Sequence, residues 1–453
     1  MMNEGQRERI LEEVEAGREE IVRFLQDLIR IPSLPGEEGR GQAFIEQKLR
    51  AMGMDVDVWE PDLGELRKDP WFMNYPLLEK VGYRGRPVLV GVCKGAGGGR
   101  SLMLQGHIDV VPVGDRPWKY GPWSGAVDGS RLYGRGSSDM KSGMAAMIMA
   151  FDCIRRAGIR LKGDVIIESV IDEELGGNGA LACVQRGYRA DAAIIPEPTG
   201  CHITVACEGV LWVQVKLEGR AAHPAAKHRG VCAIEKGMKV YQAIKDFEVL
   251  REQKASHPVF DKTEYPSIVP IVVGMFNAGV HRSTVADEAT LVCRIGFLPG
   301  EDSGEVYRGF CGKVRETAEG DPWMRDHLPV VEMIGIPVGA SEIPTDHPIV
   351  ESLKRCQKWA TGRDPKIDGI PTGSEQRILI ERAETPCAVF GPGNPADAHM
   401  TDECLDSIDD LIEATKTLAL TLGDWCGVES IDRPPGFHQR LEGRTTSQEP
   451  FKG

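Results

Sequence analysis

Five short motifs carry acidic or histidine side chains, and each follows an apolar run of the kind that forms a buried strand. They read QGHIDVVP, GRGSSDMKSG, IDEELGGNG, IIPEPTG and DAHMTDE. An open α/β sheet builds its sites outside the carboxyl ends of its strands, so polar motifs timed to strand ends point to that architecture. Surface charge has no reason to keep such timing. The apolar runs are Pro87–Val92, Leu102–Leu104, Val165–Val170 and Ala192–Ile195, with CAVFGPG near the end. Helical stretches at Ser142–Ala157 and Gly179–Arg186 alternate with them. Amphipathic helices are predicted earlier, over Glu4–Arg30, stopped by Pro32, and over Gln42–Met52, closed by Gly53. This alternation predicts an α/β sheet with covering helices.

After Glu197 the pattern changes. VLWVQVKLE, Val210–Glu218, alternates with period two, as a half-exposed strand does. A helix near Ala233–Asp246, strands at Ile268–Met275 and Ala289–Phe297, a helix at Asp302–Thr317 and a strand at Leu328–Ile336 follow. Strand–helix–strand–strand–helix–strand is the order of a ferredoxin-like α+β sandwich. The α/β pattern resumes with helices at Ile349–Ala360 and Ser407–Leu422. The expected organisation is therefore a discontinuous domain, 1–206 and 338–426, interrupted by an inserted domain, 207–337. A polar tail, 427–453, closes the chain. A length of 453 residues allows two or three domains.

The motifs place His107, Asp109, Asp139, Glu173, Glu174, Glu197 and His399 at loop positions. This mixture of imidazole and carboxylate suits zinc, or cobalt. There are too many ligands for one tetrahedral ion, and they suit two ions sharing a bridging carboxylate. Such a pair polarises an acyl oxygen and activates water at neutral pH. Each motif also has a plainer reading. His107 and Asp109 lie two apart at a strand end, on one face: a ligand and its orienting carboxylate, or a solvated pair. Asp139 opens a helix and is either a ligand or a helix cap. Glu173 and Glu174 repel each other unless a cation or proton intervenes; one can ligate while the other acts as general base, and Asp172 competes for either role. Glu197 ends a buried strand between two prolines. The other histidines lack comparable settings.

A net charge of −14 argues against nucleic acid as a partner, because the phosphate backbone repels acidic proteins. The twelve cysteines are scattered singly with no C-x-x-C pair, as free thiols in a reducing compartment are. The opening segment is charged from the outset, and no long apolar run follows anywhere. The expectation is a soluble, cytoplasmic protein with no membrane partner.

Taken in order, these motifs resemble the dinuclear-zinc aminoacylase and carboxypeptidase family, to which acetylornithine deacetylase and succinyl-diaminopimelate desuccinylase belong. The resemblance runs from about residue 20 to about residue 425. It implies a mixed-sheet catalytic domain with an inserted ferredoxin-like lid, and two divalent ions, zinc first. By that resemblance His107 binds one ion and Asp139 bridges both, Glu174 binds one ion and Glu197 the other, and His399 completes the site. It makes Asp109 the orienter of His107 and Glu173 the general acid/base, and puts a cis peptide at Asp139–Met140. GRAAHPA resembles the stretch whose lid histidine, here His223, holds the scissile carbonyl oxygen, in dimeric members across to the partner subunit. A homodimer through the lid is therefore implied.

Three departures bear on the substrate. STVADEA stands where N-V-I-P-D is common, TGSEQR replaces G-T-S-D, and ELRKDPWFMNYPLLEKVGYRGRP is a long insertion. The resulting expectation is hydrolysis of a small N-acyl amino acid or N-acyl amine, acetylornithine deacetylase-like, with Arg294, Arg282 and Arg377 as candidate carboxylate clamps. The alternatives are a dipeptidase or carboxypeptidase, and a deformylase of a neutral heterocyclic amine. A silent binding protein is disfavoured by the intact ligand and base positions.

Overall fold

Nine strands form one large mixed sheet in the computed structural model, which describes residues 2–429. The tail expected from Gly427 thus lies, from residue 430 on, outside the described residues. Along the sheet the order is Asp55–Trp59, Val88–Cys93, Val165–Val170, Leu102–His107, Ala192–Ile195, Cys387–Val389, Ile203–Cys207 and Ser341–Glu342, with Ile367–Ile370 also pairing Ile203–Cys207. The middle four strands run parallel. Leu102–His107 and Val165–Val170 are buried at every position, which is why they read as continuous apolar runs rather than alternating ones.

Because those four strands are parallel, their carboxyl ends emerge along one edge of the sheet. His107 ends one, Glu173 and Glu174 follow the second, Glu197 the third and His399 the fourth. Asp139 differs from the sequence expectation. The short strand before it, Arg131–Tyr133, belongs to a separate three-stranded sheet, and Asp139 reaches the edge on the loop into helix Lys141–Arg156. That helix can approach because of Gly143, where a Cβ would lie 1.8 Å from the Pro196 carbonyl oxygen.

The first helix also departs from expectation. It is two helices, Glu4–Ala16 and Arg18–Ile29, parted at Gly17. A Cβ at Gly17 would meet the Arg156 guanidinium at 2.9 Å, so the break lets Arg156 in to pair with Glu13 and Glu20.

Between residues 209 and 333 a second, four-stranded sheet has the order Ile271–Ala278, Glu288–Phe297, Gly209–Glu218, Val330–Met333, every pair antiparallel. With helices Ala233–Lys254 and Ser303–Glu319 this is the ferredoxin-like arrangement. The first of these helices runs two turns beyond the expected Asp246. Leu211, Val213, Val215, Leu291 and Phe310 belong to a core of its own, separate from that of the large sheet.

Candidate active site

At the sheet edge Asp139 sits between two imidazoles. His107 Nε2 lies 3.2 Å from Asp139 Oδ1 and 3.6 Å from Glu197 Oε1. His399 Nε2 lies 3.3 Å from Asp139 Oδ2 and 3.1 Å from Glu174 Oε2. One aspartate thus offers one oxygen to each of two donor sets, His107–Asp139–Glu197 and Asp139–Glu174–His399, whose ligand atoms all lie within 4.8 Å of one another. Glu173 stands between, its Oε2 3.9 Å from His107 Nε2.

The donor chemistry fits two divalent cations. Asp139, Glu173, Glu174 and Glu197 crowd four carboxyl groups around two imidazoles, and carboxylates this close repel one another. Burial pushes Glu173 up to about 7, with Glu174 and Asp139 reinforcing and His107 opposing. Burial likewise raises Glu197, and the neighbouring Asp139 adds to it. Burial works to raise Asp139 too, but hydrogen bonds from His107 and His399 outweigh it and hold that carboxyl low. Two dications would relieve this repulsion, and imidazole with carboxylate is a zinc or cobalt donor set.

A buried frame holds these side chains. With Nδ1 protonated, the His107 ring donates to the backbone carbonyl of Asp109 at 2.9 Å, and the Asp109 carboxylate lies further off, at 3.7 Å. That carboxylate instead accepts the backbone N–H groups of Glu173 and Glu174, at 3.3 and 3.2 Å. Asp109 therefore ties two motifs together. Asp172, one of the competing acids, is removed from the site: it is fully buried, in a left-handed conformation (φ 65°), and paired with Arg86. Sequence reasoning assigned no role to Glu403, the last residue of DAHMTDE. Fully buried and paired with Arg135, it accepts the N–H groups of Ser138 and Asp139 at 3.1 and 3.2 Å and so fixes the loop that carries Asp139. The Asp139–Met140 peptide is cis.

These groups open on a cleft of about 580 Å³. Met73, Tyr75, Trp212, Arg294, Glu375 and Arg377 are among its walls. Met73 and Tyr75 come from the long insertion, a signal visible in the sequence without its meaning. Of the three candidate clamps, Arg294 lines the cleft but is paired with the buried Glu208. Arg377 lines it and donates to the Gly176 carbonyl at 3.0 Å. Arg282 is exposed on a turn after the lid's edge strand and lines no part of the cleft in the single chain. His223 is also exposed and away from the cleft; its Nδ1 accepts the Ala225 N–H at 3.2 Å. A third donor group, His202, Glu264 and Asp368, is already compensated by Lys366 on Glu264 and Thr204 on Asp368.

An edge-of-sheet cluster of this kind, facing an enclosed cleft, belongs to a metal-dependent hydrolase of amide bonds. The chain is a member of peptidase family M20/M25/M40, whose family model matches residues 103–424. It is similar to the N-formyl-4-amino-5-aminomethyl-2-methylpyrimidine deformylase of Halalkalibacterium halodurans, at 31% identity over 444 residues, covering 92% of this chain and 97% of that one. It is also similar to a Staphylococcus aureus protein named "Probable succinyl-diaminopimelate desuccinylase", at 26% identity over 340 residues, covering 68% and 79%. Its fold matches that of a di-peptidase from Saccharomyces cerevisiae with a TM-score of 0.72 at 16% identity, covering 93% and 98% of the two chains. All twelve cysteines are free thiols, and no helix among the described residues is long and apolar enough to cross a membrane.

Proposed function

We propose that this hydrolase removes a formyl or similarly small acyl group from a compact heterocyclic amine that carries no carboxylate. The charge inventory of the cleft carries this reading. Both of its lining arginines are already engaged, Arg294 with Glu208 and Arg377 Nη2 with the Gly176 carbonyl, so no whole guanidinium fork is free to clamp a carboxylate. The similarity to a pyrimidine-amine deformylase over nearly the whole chain supports the same choice.

In this reading two divalent ions would be held by His107, Asp139 and Glu197 and by Asp139, Glu174 and His399, with Asp139 common to both sets. Zinc is the first choice and cobalt the second. Bound there, the ions supply Lewis-acid polarisation of the acyl oxygen and lower the pKa of water. Glu173 accepts a proton from the attacking water, then delivers it to the leaving amine nitrogen. Burial raises its carboxyl, the direction that a general acid and base working at neutral pH requires. Asp109 keeps the Glu173–Glu174 turn against the His107 strand.

We assign residues 1–206 and 338–426 to the catalytic domain and 207–337 to a lid through which two copies pair. Ile234, Met238 and Tyr241 stand exposed on helix Ala233–Lys254, and Val272, Met275 and Phe276 on the adjoining edge strand. Such an apolar stripe beside an open strand edge favours a covered face. In that dimer His223, remote from its own cleft, serves the other subunit by binding the acyl oxygen. Arg282 lies on the same lid. The free thiols support a cytoplasmic setting.

Arg377 favours a second reading, an N-acyl amino acid or dipeptide as substrate, because its Nε has no partner among the described residues. One experiment separates the two. Metal content is measured, and formyl, acetyl and succinyl amides of a carboxylated amine, its methyl ester and an aminomethyl heterocycle are compared as substrates. Turnover of the neutral heterocyclic formamide above every acid is expected, lost with chelator and restored by zinc or cobalt. Faster turnover of the acid than of its ester would replace the first reading with the second.

A further inference from the structure

One buried carboxyl in the cleft is left without any partner among the described residues. Glu375 stands at the start of helix Gln376–Ala383, lines the cleft and is 2% exposed. Neither of its carboxyl oxygens has a hydrogen-bond partner among the described residues. Buried polar groups in native folds are satisfied almost without exception, so a carboxyl with two idle oxygens in a binding cleft marks a ligand's place. Arg377, two residues on, does not occupy it. That guanidinium donates to the Gly176 carbonyl and lies over the Trp71 ring, 5.5 Å from its centroid. Glu375 and Arg377 flank Gly177 (φ 84°), where a Cβ would come within 3.5 Å of Glu375 Oε1 and 3.6 Å of Arg377 Nη2. The bare backbone there gives both side chains their room.

The wall nearby is apolar. Met73, Val210 and Val338 form a small core of their own, with Trp212 and Ile336 packed against it. Met73 comes from the long insertion and is wedged between the metal-site turn and the lid. A Cβ on Gly176 would lie 2.6 Å from Met73 Cγ, and one on Gly335 2.9 Å from its Sδ. An apolar wall with a single oriented polar group is the usual form of a site that fixes the orientation of a small ring.

We propose that Glu375 is the recognition residue for the amine half of the substrate: its carboxyl pairs with the edge of an amino-substituted nitrogen heteroaromatic ring packed against the Met73–Trp212 wall. Burial, with the Glu173 charge adding, holds this carboxyl well above the ordinary range. A protonated carboxyl presents one donor and one acceptor side by side. A ring nitrogen next to an exocyclic amino group presents the complementary acceptor and donor, so the two edges close a pair of parallel hydrogen bonds. A carbocyclic ring offers neither. The assignment rests on the reading of the enzyme as a deacylase of a heterocyclic amine, and it locates the specificity of that reaction in one residue.

The test compares two formamides, N-formyl-(4-amino-2-methylpyrimidin-5-yl)methylamine and N-formylbenzylamine, and binding of the two free amines by calorimetry. The wild type should prefer the aminopyrimidine in kcat/KM and in affinity. Glu375→Met should lower the ratio of kcat/KM for the two substrates by about tenfold to a hundredfold, the loss expected for strong hydrogen bonds to a buried acid. The aminopyrimidine amine should weaken in Kd by a similar factor, with metal content unaltered. Glu375→Gln keeps one donor and one acceptor and should retain most of the preference. Should the Met variant fail to fold, Glu375→Ala carries the same comparison. Equal losses on both formamides, or a Met variant that keeps the preference, would overturn the role of Glu375 while leaving the deformylase reading intact. A wild type that cleaves N-acyl amino acids but neither cleaves the aminopyrimidine formamide nor binds its amine would overturn both.

Discussion

Arg86→Met removes the cation that anchors the turn carrying Glu173 and Glu174. Arg86 is 1% exposed. Its Nε and Nη2 donate to Glu38 at 2.8 and 2.6 Å, Nη1 donates to the Gly82 carbonyl at 2.8 Å, and Nη2 also pairs with Asp172. Methionine fills the aliphatic volume but strands two carboxylates, both with 0% exposed side chains. Removing one partner of a buried ion pair costs about 3–5 kcal/mol, and two acids sharing one guanidinium put this change at the upper end, about 5 kcal/mol. At roughly 2–4 °C per kcal/mol for a domain of this size, the melting temperature should fall by about 10–20 °C. The sign with pH follows from Glu38. Burial raises its carboxyl even beside Arg86, and without the guanidinium it rises further. An acid with a raised pKa in the folded state stabilises the fold fully below its unfolded value, 4.5, and loses that contribution as pH climbs through the folded value. The deficit of the variant should therefore be smallest near pH 5 and grow toward pH 8. Calorimetric melting of both proteins across that range measures it, alongside kcat/KM. A variant that melts within about 2 °C of wild type, or a deficit that shrinks as pH rises, would show that the triad does not hold the turn.

Glu173→Gln should keep its metal and lose about 10²–10⁴ in rate, because an amide cannot accept the water proton, whereas Glu174→Gln should show reduced metal content. Metal analysis beside turnover decides it, and the reverse pattern would exchange the two roles. His223→Ala should lower kcat with metal content unaltered; mixed with Glu173→Gln under proven subunit exchange it should regain activity, and no recovery would mean a site completed within one chain. Glu168 is fully buried, held up to about 8 by burial, and accepts a hydrogen bond from Gln105 Nε2 at 3.2 Å. Glu168→Gln should therefore melt progressively higher than wild type as pH rises from about 4.5 to about 8, since the wild type alone loses stability over that window. A melting gap that stays constant over the window would contradict the shift.

The chain's own order determined which strands and helices form, because the period of its apolar residues is a local property. Leu102–His107 and Val165–Val170 announce themselves as buried strands, and the motifs behind them place His107 and Glu173 at strand ends. The strand–helix–strand–strand–helix–strand order of the lid was legible for the same reason. Only the tertiary structure decided what those ends share. The parallel pairing of four strands brings His107, Glu174, Glu197 and His399 to one edge, and Asp139 arrives from a different sheet, a route no local pattern encodes. The break at Gly17 depends on Arg156, and the wedge of Met73 on Gly176 and Gly335, each distant in sequence from its partner. The state of a charge was likewise undecided by sequence. In the sequence Arg294 stood as a candidate carboxylate clamp and Glu375 only as part of TGSEQR, but the fold pairs the first with Glu208 and buries the second without a partner among the described residues, because burial and neighbours, not residue type, set what a charged side chain is free to bind.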